Sequence, residues 1–386
     1  MAHAADGLSR SLVAFDQNST LVAVVEMSQS TWLVAGVIPG VAREPLKRLV
    51  PDADQLLALL ARWRSEAERA GCAIRRVVVG YEAGRDGFWL ARWLGAQGVE
   101  AHVIHATSIA VSREHKRAKS DRLDTRLLKR VLLGWLRGEP DHCRMVAIPT
   151  AAAEDAKRPG RERQALTEEA TRHVNRLKAT LARLGIRGFD PARVKAAAGL
   201  AELRTAEDTP IPPLALAEMQ RTFERLALVR AQVQAIDAAR RDALAAAPAT
   251  GALAQVRLLG RVVGISAASA DVLVHEMFVR EFRDRRAVAR YPGLTGAPDE
   301  SGARRREKGL SKAGNARVRR LIVQIAWLFV RHQPDSALVR WYQDRVAAGA
   351  RKTAMIVALA RKLVIALWRL LTQGVVPEGV VMRPAA

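Results

Sequence analysis

Asp16 closes the segment VAFD and Glu82 closes VVVGYE, so each carboxylate follows an apolar run. If those runs were parallel neighbours in a sheet, their carboxyl ends would bring both acids into one crevice. Asp121 and Asp124 stand three apart in KSDRLDT, a spacing that shares one helix face. Four converging carboxylates repel one another unless cations neutralise them. Oxygen-only ligands select hard divalent ions, so the cofactor such a cluster implies is Mg²⁺, with Mn²⁺ as its substitute. Two such ions about 4 Å apart stabilise both the attacking and the leaving oxygen at a phosphodiester. Arg113, Lys116, Arg117 and Lys119 precede the acidic pair and would hold phosphates beside the metal. Taken singly, an Asp after a strand is more often a turn residue. Asp121 and Asp124, with Arg122, Arg126 and Lys129 nearby, also suit a solvated helix surface.

A second constellation is the stretch GLTGAPDESGARRREKGLSKAGN at 293–315. Its glycines predict a loop whose backbone can approach a ligand closely. Arg304, Arg305, Arg306, Lys308 and Lys312 concentrate positive charge there, around Ser301. A serine hydroxyl attacks a phosphodiester when it is activated and the developing charge is neutralised. On residue types alone, Ser301 reads as an ordinary loop serine. Ser311 is expected to cap the following helix.

The elements that must carry these residues follow from periodicity. SLVAF, LVAVVEM and WLVAGVI predict a three-stranded meander. DADQLLALLARWRSEAERAG has an acidic first turn and helical spacing. RRVVVGYE predicts a strand of the kind buried in a parallel sheet, and a helix through GFWLARWLGAQG and the strand EAHVIH follow it. KSDRLDTRLLKRVLLGWLRG predicts a strong helix. Residues 1–150 therefore read as one mixed α/β domain. Residues 151–248 hold two long helical stretches about a Pro-rich turn, which predicts a helical hairpin or coiled-coil arm suited to oligomerisation. Residues 249–386 are helical again, with LLGRVVGISAASADVLVHEM reading as helix, turn and helix. That turn could offer backbone amides to a phosphate.

Composition narrows the partners. The 386 residues carry a formal net charge of +23, an excess that favours polyanions through counterion release. With 49% hydrophobic residues the chain is a packed protein rather than a disordered basic tail. Cys72 and Cys143 form neither a zinc signature nor a disulfide framework. The apolar run at 353–360 is followed at once by Arg361 and Lys362 and is too short to span a bilayer. A cytoplasmic, nucleoid-associated protein with no membrane partner is expected.

Taken together, these segments resemble the DEDD-type transposases of the insertion sequence 110 family along most of the chain. AFDQNST, GYEAGRDGFWLARWL and KRAKSDRLDT are similar to the acidic blocks of its RuvC-like, ribonuclease-H-fold domain. The resemblance assigns Asp16, Glu82, Asp121 and Asp124 as its four acids. RVVGISAASADVLVHEM, REFRDRRAVARYPGLTG and ESGARRREKGLSKAGNARVRRL are similar to its mainly α C-terminal transposase domain, and there the resemblance implies that Ser301 is the nucleophile. This chain has Gly296 where the family often has Pro, Glu300 in place of a first serine, and Ser266 in place of a second glycine in the helix-turn-helix. The resemblance further implies a homo-oligomer (dimer or tetramer), double-stranded DNA at element ends and target as substrate, and in some members a structured noncoding bridge RNA as guide. It also implies a composite active site, with the acids of one protomer facing the serine of another. The rival expectations are a RuvC-type nuclease that activates water without a serine, and a non-catalytic basic scaffold.

Overall fold

TLVAVVEM is apolar and β-branched enough to be buried on both faces, and it forms β1 (Thr20–Met27), the central strand of a five-stranded sheet. β2 (Trp32–Val37) and β3 (Leu46–Leu49) continue from it as an antiparallel meander. Helix α1 (Ala53–Arg69), capped by the Asp52 carboxylate on the amides of Asp54 and Gln55, returns the chain to β4 (Arg76–Glu82), which pairs parallel with β1. Helix α2 (Trp89–Ala96) leads to β5 (Glu100–Ile104), parallel to β4, and α3 (Asp121–Leu136) follows. The sheet order is β3-β2-β1-β4-β5. This computed structural model describes residues 8–109, 121–139, 142–193, 195–301, 304–311 and 313–384; the side chains of Asp121 and of 297–301 and 304–308 lie outside that description.

Three strands open the chain as the pattern predicts, but they are shifted by one segment. SLVAF is not a strand: Leu12 and Val13 are 53% and 60% exposed, whereas Leu21 to Val25 are at most 1% exposed. The longer run takes the central position because it alone can bury both of its faces. β3, with the sequence LKRL, escaped the apolar pattern because it is an edge strand, where charged side chains guard the unpaired backbone.

Strand alternation sorts the two faces of the sheet. Leu21, Ala23, Val25, Val79 and Tyr81 pack with Leu56, Trp63, Leu90 and Leu94 of α1 and α2. Val22, Val24, Val78 and Ile104 pack with Leu128, Leu132 and Trp135 of α3. At the start of β5, Glu100 accepts a two-pronged bond from Arg76 (2.6 and 2.7 Å) and a contact from His102 at 2.6 Å. Burial alone would raise its pKa, but Arg76 and His102 outweigh that and hold it at about 2. A depressed carboxylate contributes stability that is full above its ordinary value of 4.5 and is lost as pH falls through about 2. The difference in urea midpoint between the parent protein and Glu100→Gln is therefore expected to shrink steadily across that window.

The chain divides into two compact units, Met1–Glu154 and Asp155–Ala386. A short helix, α4 (Ala151–Asp155), carries Glu154, which pairs with Arg92 at 2.6 Å. The second unit begins with an antiparallel pair, α5 (Arg158–Arg183) and α6 (Pro213–Ala245), as the long polar-apolar periodicity predicts. Leu177, Leu181, Met219, Phe223 and Leu226 form the core of that hairpin. Helices α7 (Ala252–Gly260) and α8 (Ala267–Leu273) make the helix-turn-helix, and α8 runs on into a π-helical turn at Val274–Phe278. The remaining elements are α9 (Arg285–Arg290), the hairpin β6 (Gly296–Ser301) and β7 (Arg304–Leu310), then α10 (Ala316–His332), α11 (Ala337–Ala347) and α12 (Lys352–Gln373). Leu359, Leu363, Leu367 and Leu370 of α12 are buried in the core of this unit, which explains the apolar run near the C-terminus. Among the described residues no helix is long and apolar enough to cross a membrane.

Candidate active site

Asp16 is not at the end of a strand. It stands ahead of β1, where its carboxylate accepts from Ser19 Oγ at 2.5 Å and from the Asn18 amide at 2.9 Å. Those bonds, the Ser19 hydroxyl first, hold its pKa below the ordinary range. This is the geometry of an Asx turn that starts the strand. Because β1 and β4 are parallel and Thr20 pairs with Arg76, Asp16 lies toward the amino end of the sheet. Glu82 is the last residue of β4 and lies at the carboxyl end. The expected meeting of Asp16 and Glu82 in one crevice therefore does not occur.

Another acid occupies the matching place. The β1–β4 pairing runs as far as Val25 with Tyr81, so Glu26 and Glu82 follow on neighbouring strands at the next step. Such strands lie about 4.8 Å apart. Continuing the alternation from Val24 and Gly80, both positions fall on the face that α3 covers. Glu26 is half-buried and Glu82 is exposed. The signal was present in the sequence: LVAVVEM and RRVVVGYE are both apolar runs ending in Glu.

On α3, Asp124 is half-buried, and Thr125 and Leu128 beside it are 1% and 2% exposed. This helix packs on β1, β2 and β4 through its apolar face. Asp121 opens the same helix. Among the described residues no three acidic, histidine or cysteine side chains are grouped closely enough to hold a metal. Arg113, Lys116, Arg117, Lys119 and Lys312 lie outside the described residues. Cys143 is buried and its thiol is pushed up to about 12, so it is inert.

The serine segment is a hairpin rather than a loop. β6 and β7 pair antiparallel, with Ser301 opposite Arg304, Glu300 opposite Arg305 and Asp299 opposite Arg306. Ser301 thus closes β6 at the turn end of the hairpin. Lys308 lies further along β7. Two glycines clasp the base. Gly293 has φ +70° and a Cβ there would come within 2.1 Å of the Ala313 carbonyl oxygen; Gly314 has φ +106° and a Cβ would come within 2.2 Å of the Tyr291 carbonyl oxygen. Ser311 does not cap α10; its amide bonds to Thr295 at 3.0 Å and closes the hairpin. The cap is Asn315, whose side chain accepts from the amides of Arg317 and Val318. Its Nδ2 also donates to Glu276 at 3.4 Å.

Glu276 ties that base to the arm. It sits on the π-helical turn with a side chain 7% exposed, and Arg161 of α5 donates to it at 2.7 and 3.1 Å. Burial would raise its pKa; Arg161, Arg317 and Asn315 overcome this and lower it. The Gly-Leu-Thr and Lys-Ala-Gly-Asn segments are thus the two sides of one clasp. Gly314→Ala is expected to lose about 2 kcal/mol or more, because it adds both a left-handed backbone penalty and a backbone overlap. A urea titration showing a lower midpoint at unchanged slope is the check.

A relative named as a transposase, y4rJ of Sinorhizobium fredii, is 42% identical over 373 residues, covering 93% of each chain. The chain belongs to the IS116/IS110/IS902 transposase family. The family's own description matches residues 256–340. In this transposase that region runs from α7 through the helix-turn-helix, the Ser301 hairpin and its clasp to the start of α11. The acidic edge of the sheet lies outside it, and there the 42% relative extends the likeness.

Proposed function

We propose that this transposase cuts and rejoins DNA strands, with an acidic edge of Glu26, Glu82, Asp121 and Asp124 and with Ser301 as nucleophile. The observation that carries the reading is the placing of Glu26 beside Glu82 at the carboxyl ends of neighbouring parallel strands, on the face that α3 covers. The sheet order, antiparallel then parallel, supports taking the first unit as RuvC-like. Glu26, Glu82, Asp121 and Asp124 offer oxygen donors only, the chemistry that suits a hard divalent cation, Mg²⁺ or Mn²⁺, although the described side chains do not stand close enough in this structure to hold one. Bound there, such a cation would supply Lewis-acid stabilisation of charge at the scissile phosphate.

The protein's own part is as follows. Ser301 Oγ forms a bond to phosphorus as the bond to the 3′ oxygen breaks, leaving a 3′-hydroxyl and a phosphoserine. A 3′-hydroxyl of another strand then attacks that phosphorus and releases the serine. Bond energy is conserved in the covalent link, so no nucleotide triphosphate is consumed. Arg304, Arg305, Arg306 and Lys308 neutralise phosphate charge as it develops. The acids and Ser301 belong to different units, and the reading requires both to reach one phosphate. The family resemblance suggests a homo-oligomer in which they come from different protomers, and some members of the family use a structured RNA guide.

The test is covalent trapping. The protein is incubated with Mg²⁺ and DNA spanning the element ends, then resolved under denaturing conditions. A protein–DNA adduct that maps to the peptide containing Ser301 is expected. Cleavage without any adduct would leave a water-using nuclease instead.

A further inference from the structure

The connection that follows Glu82 carries an exposed tryptophan. Trp89, the first residue of α2, is 42% exposed although large aromatic rings are normally buried. Behind it lies Trp32, 2% exposed, with ring centroids 6.1 Å apart and an interplanar angle of 37°. Trp32 pairs with Met27, the residue after Glu26, so both rings belong to the carboxyl end of the sheet, on the face that α1 and α2 cover and across the strand ends from Glu26 and Glu82. The connection itself is held in place. The buried Tyr81 hydroxyl donates to the Gly87 carbonyl at 3.3 Å and accepts from the Ala91 amide at 3.2 Å, and the Ala83 amide bonds to Ile104 at 2.8 Å. Arg85 is exposed on the same connection.

An aromatic face braced on a second ring, with an exposed guanidinium on the same connection, offers the two groups by which proteins hold single-stranded nucleic acid: a ring to stack on a base and a cation to meet a phosphate. The chain's charge of +23 favours a polyanion as its partner, and Arg85 is the exposed cation of this connection. Strand exchange also obliges bases near the cut to leave their duplex partners. We infer that Trp89 is a stacking platform for an unpaired base of the DNA strand held at the Glu26–Glu82 edge, with Arg85 on the neighbouring phosphate. This rests on the strand-transfer reading for the identity of its ligand.

Binding of the full chain to a labelled oligothymidylate of about 20 nucleotides tests it, against a duplex of equal length. Chelator is present throughout, so neither metal nor covalent chemistry enters the result. Trp89→Ala is expected to weaken oligothymidylate binding about tenfold, with duplex binding changed by less than about twofold and the salt dependence unaltered. Trp89→Phe keeps a ring on Trp32 and should stay within about threefold of the parent, which guards against a folding defect. Arg85→Ala should reduce the salt slope by about one on both ligands. Unchanged oligothymidylate affinity in Trp89→Ala, or equal losses on single strand and duplex, would overturn the inference. A loss seen only on oligouridylate would overturn the DNA assignment. If strand transfer failed its own test while Trp89→Ala still lost single-strand affinity, the platform would stand without that mechanism.

Discussion

Glu26→Gln is expected to reduce metal-dependent strand cleavage about a hundredfold or more, while Asp16→Asn leaves the rate within about threefold. The contrast follows from where the two acids stand. Glu26 follows Val25 on the central strand, next in register to Glu82 across the parallel pair. Its amide analogue keeps the shape and loses the anionic donor, so a bound cation would be held by one fewer charge. Asp16 instead accepts from Ser19 and Asn18 in an exposed turn before β1. An asparagine can still accept in such a turn, so the effect on chemistry should be small. Cleavage of a DNA substrate over a range of Mg²⁺ concentrations separates the two positions. Loss of activity in Asp16→Asn with full activity in Glu26→Gln would reverse the assignment.

Ser301→Ala is expected to remove the covalent adduct altogether and to lower strand exchange by about a thousandfold or more. Ser301 stands opposite Arg304 at the turn end of the β6–β7 hairpin, and the proposed attack on phosphorus needs its hydroxyl. Binding should survive, because the cationic residues of β7 are untouched and phosphate contacts dominate affinity. A mobility-shift measurement in chelator beside the trapping reaction provides that control. Retained exchange in Ser301→Ala would mean that another group, or water, attacks the phosphate.

Much of the architecture was legible before any coordinates. The runs VAVV and RRVVV, the amphipathic helix DADQLLALL and the long Ala-, Leu- and Arg-rich stretches lie on their predicted elements because burial and helical periodicity are local properties of the chain. The hairpin at 296–310 was hidden by its glycines and arginines, which resemble loop residues; its strands are fixed by pairing with each other and by the clasp beneath them. The strand LKRL was hidden for the related reason that edge strands need not be apolar.

Phosphodiester chemistry was suggested by residue types: acids after apolar runs, a basic serine segment and a strong positive charge. Those features are intrinsic to the chain and need no neighbours to be seen. Which acids stand together was decided only by the tertiary structure. Asp16 and Glu26 both adjoin apolar segments, SLVAF and LVAVV, and either segment could have formed the strand beside β4. The longer run buries both of its faces and the shorter one leaves Leu12 and Val13 exposed, so packing gives LVAVV the central place. Parallel pairing then sets the ends apart, with Asp16 toward the amino edge and Glu26 beside Glu82. Register across a sheet depends on which runs win burial, and that competition involves the whole domain.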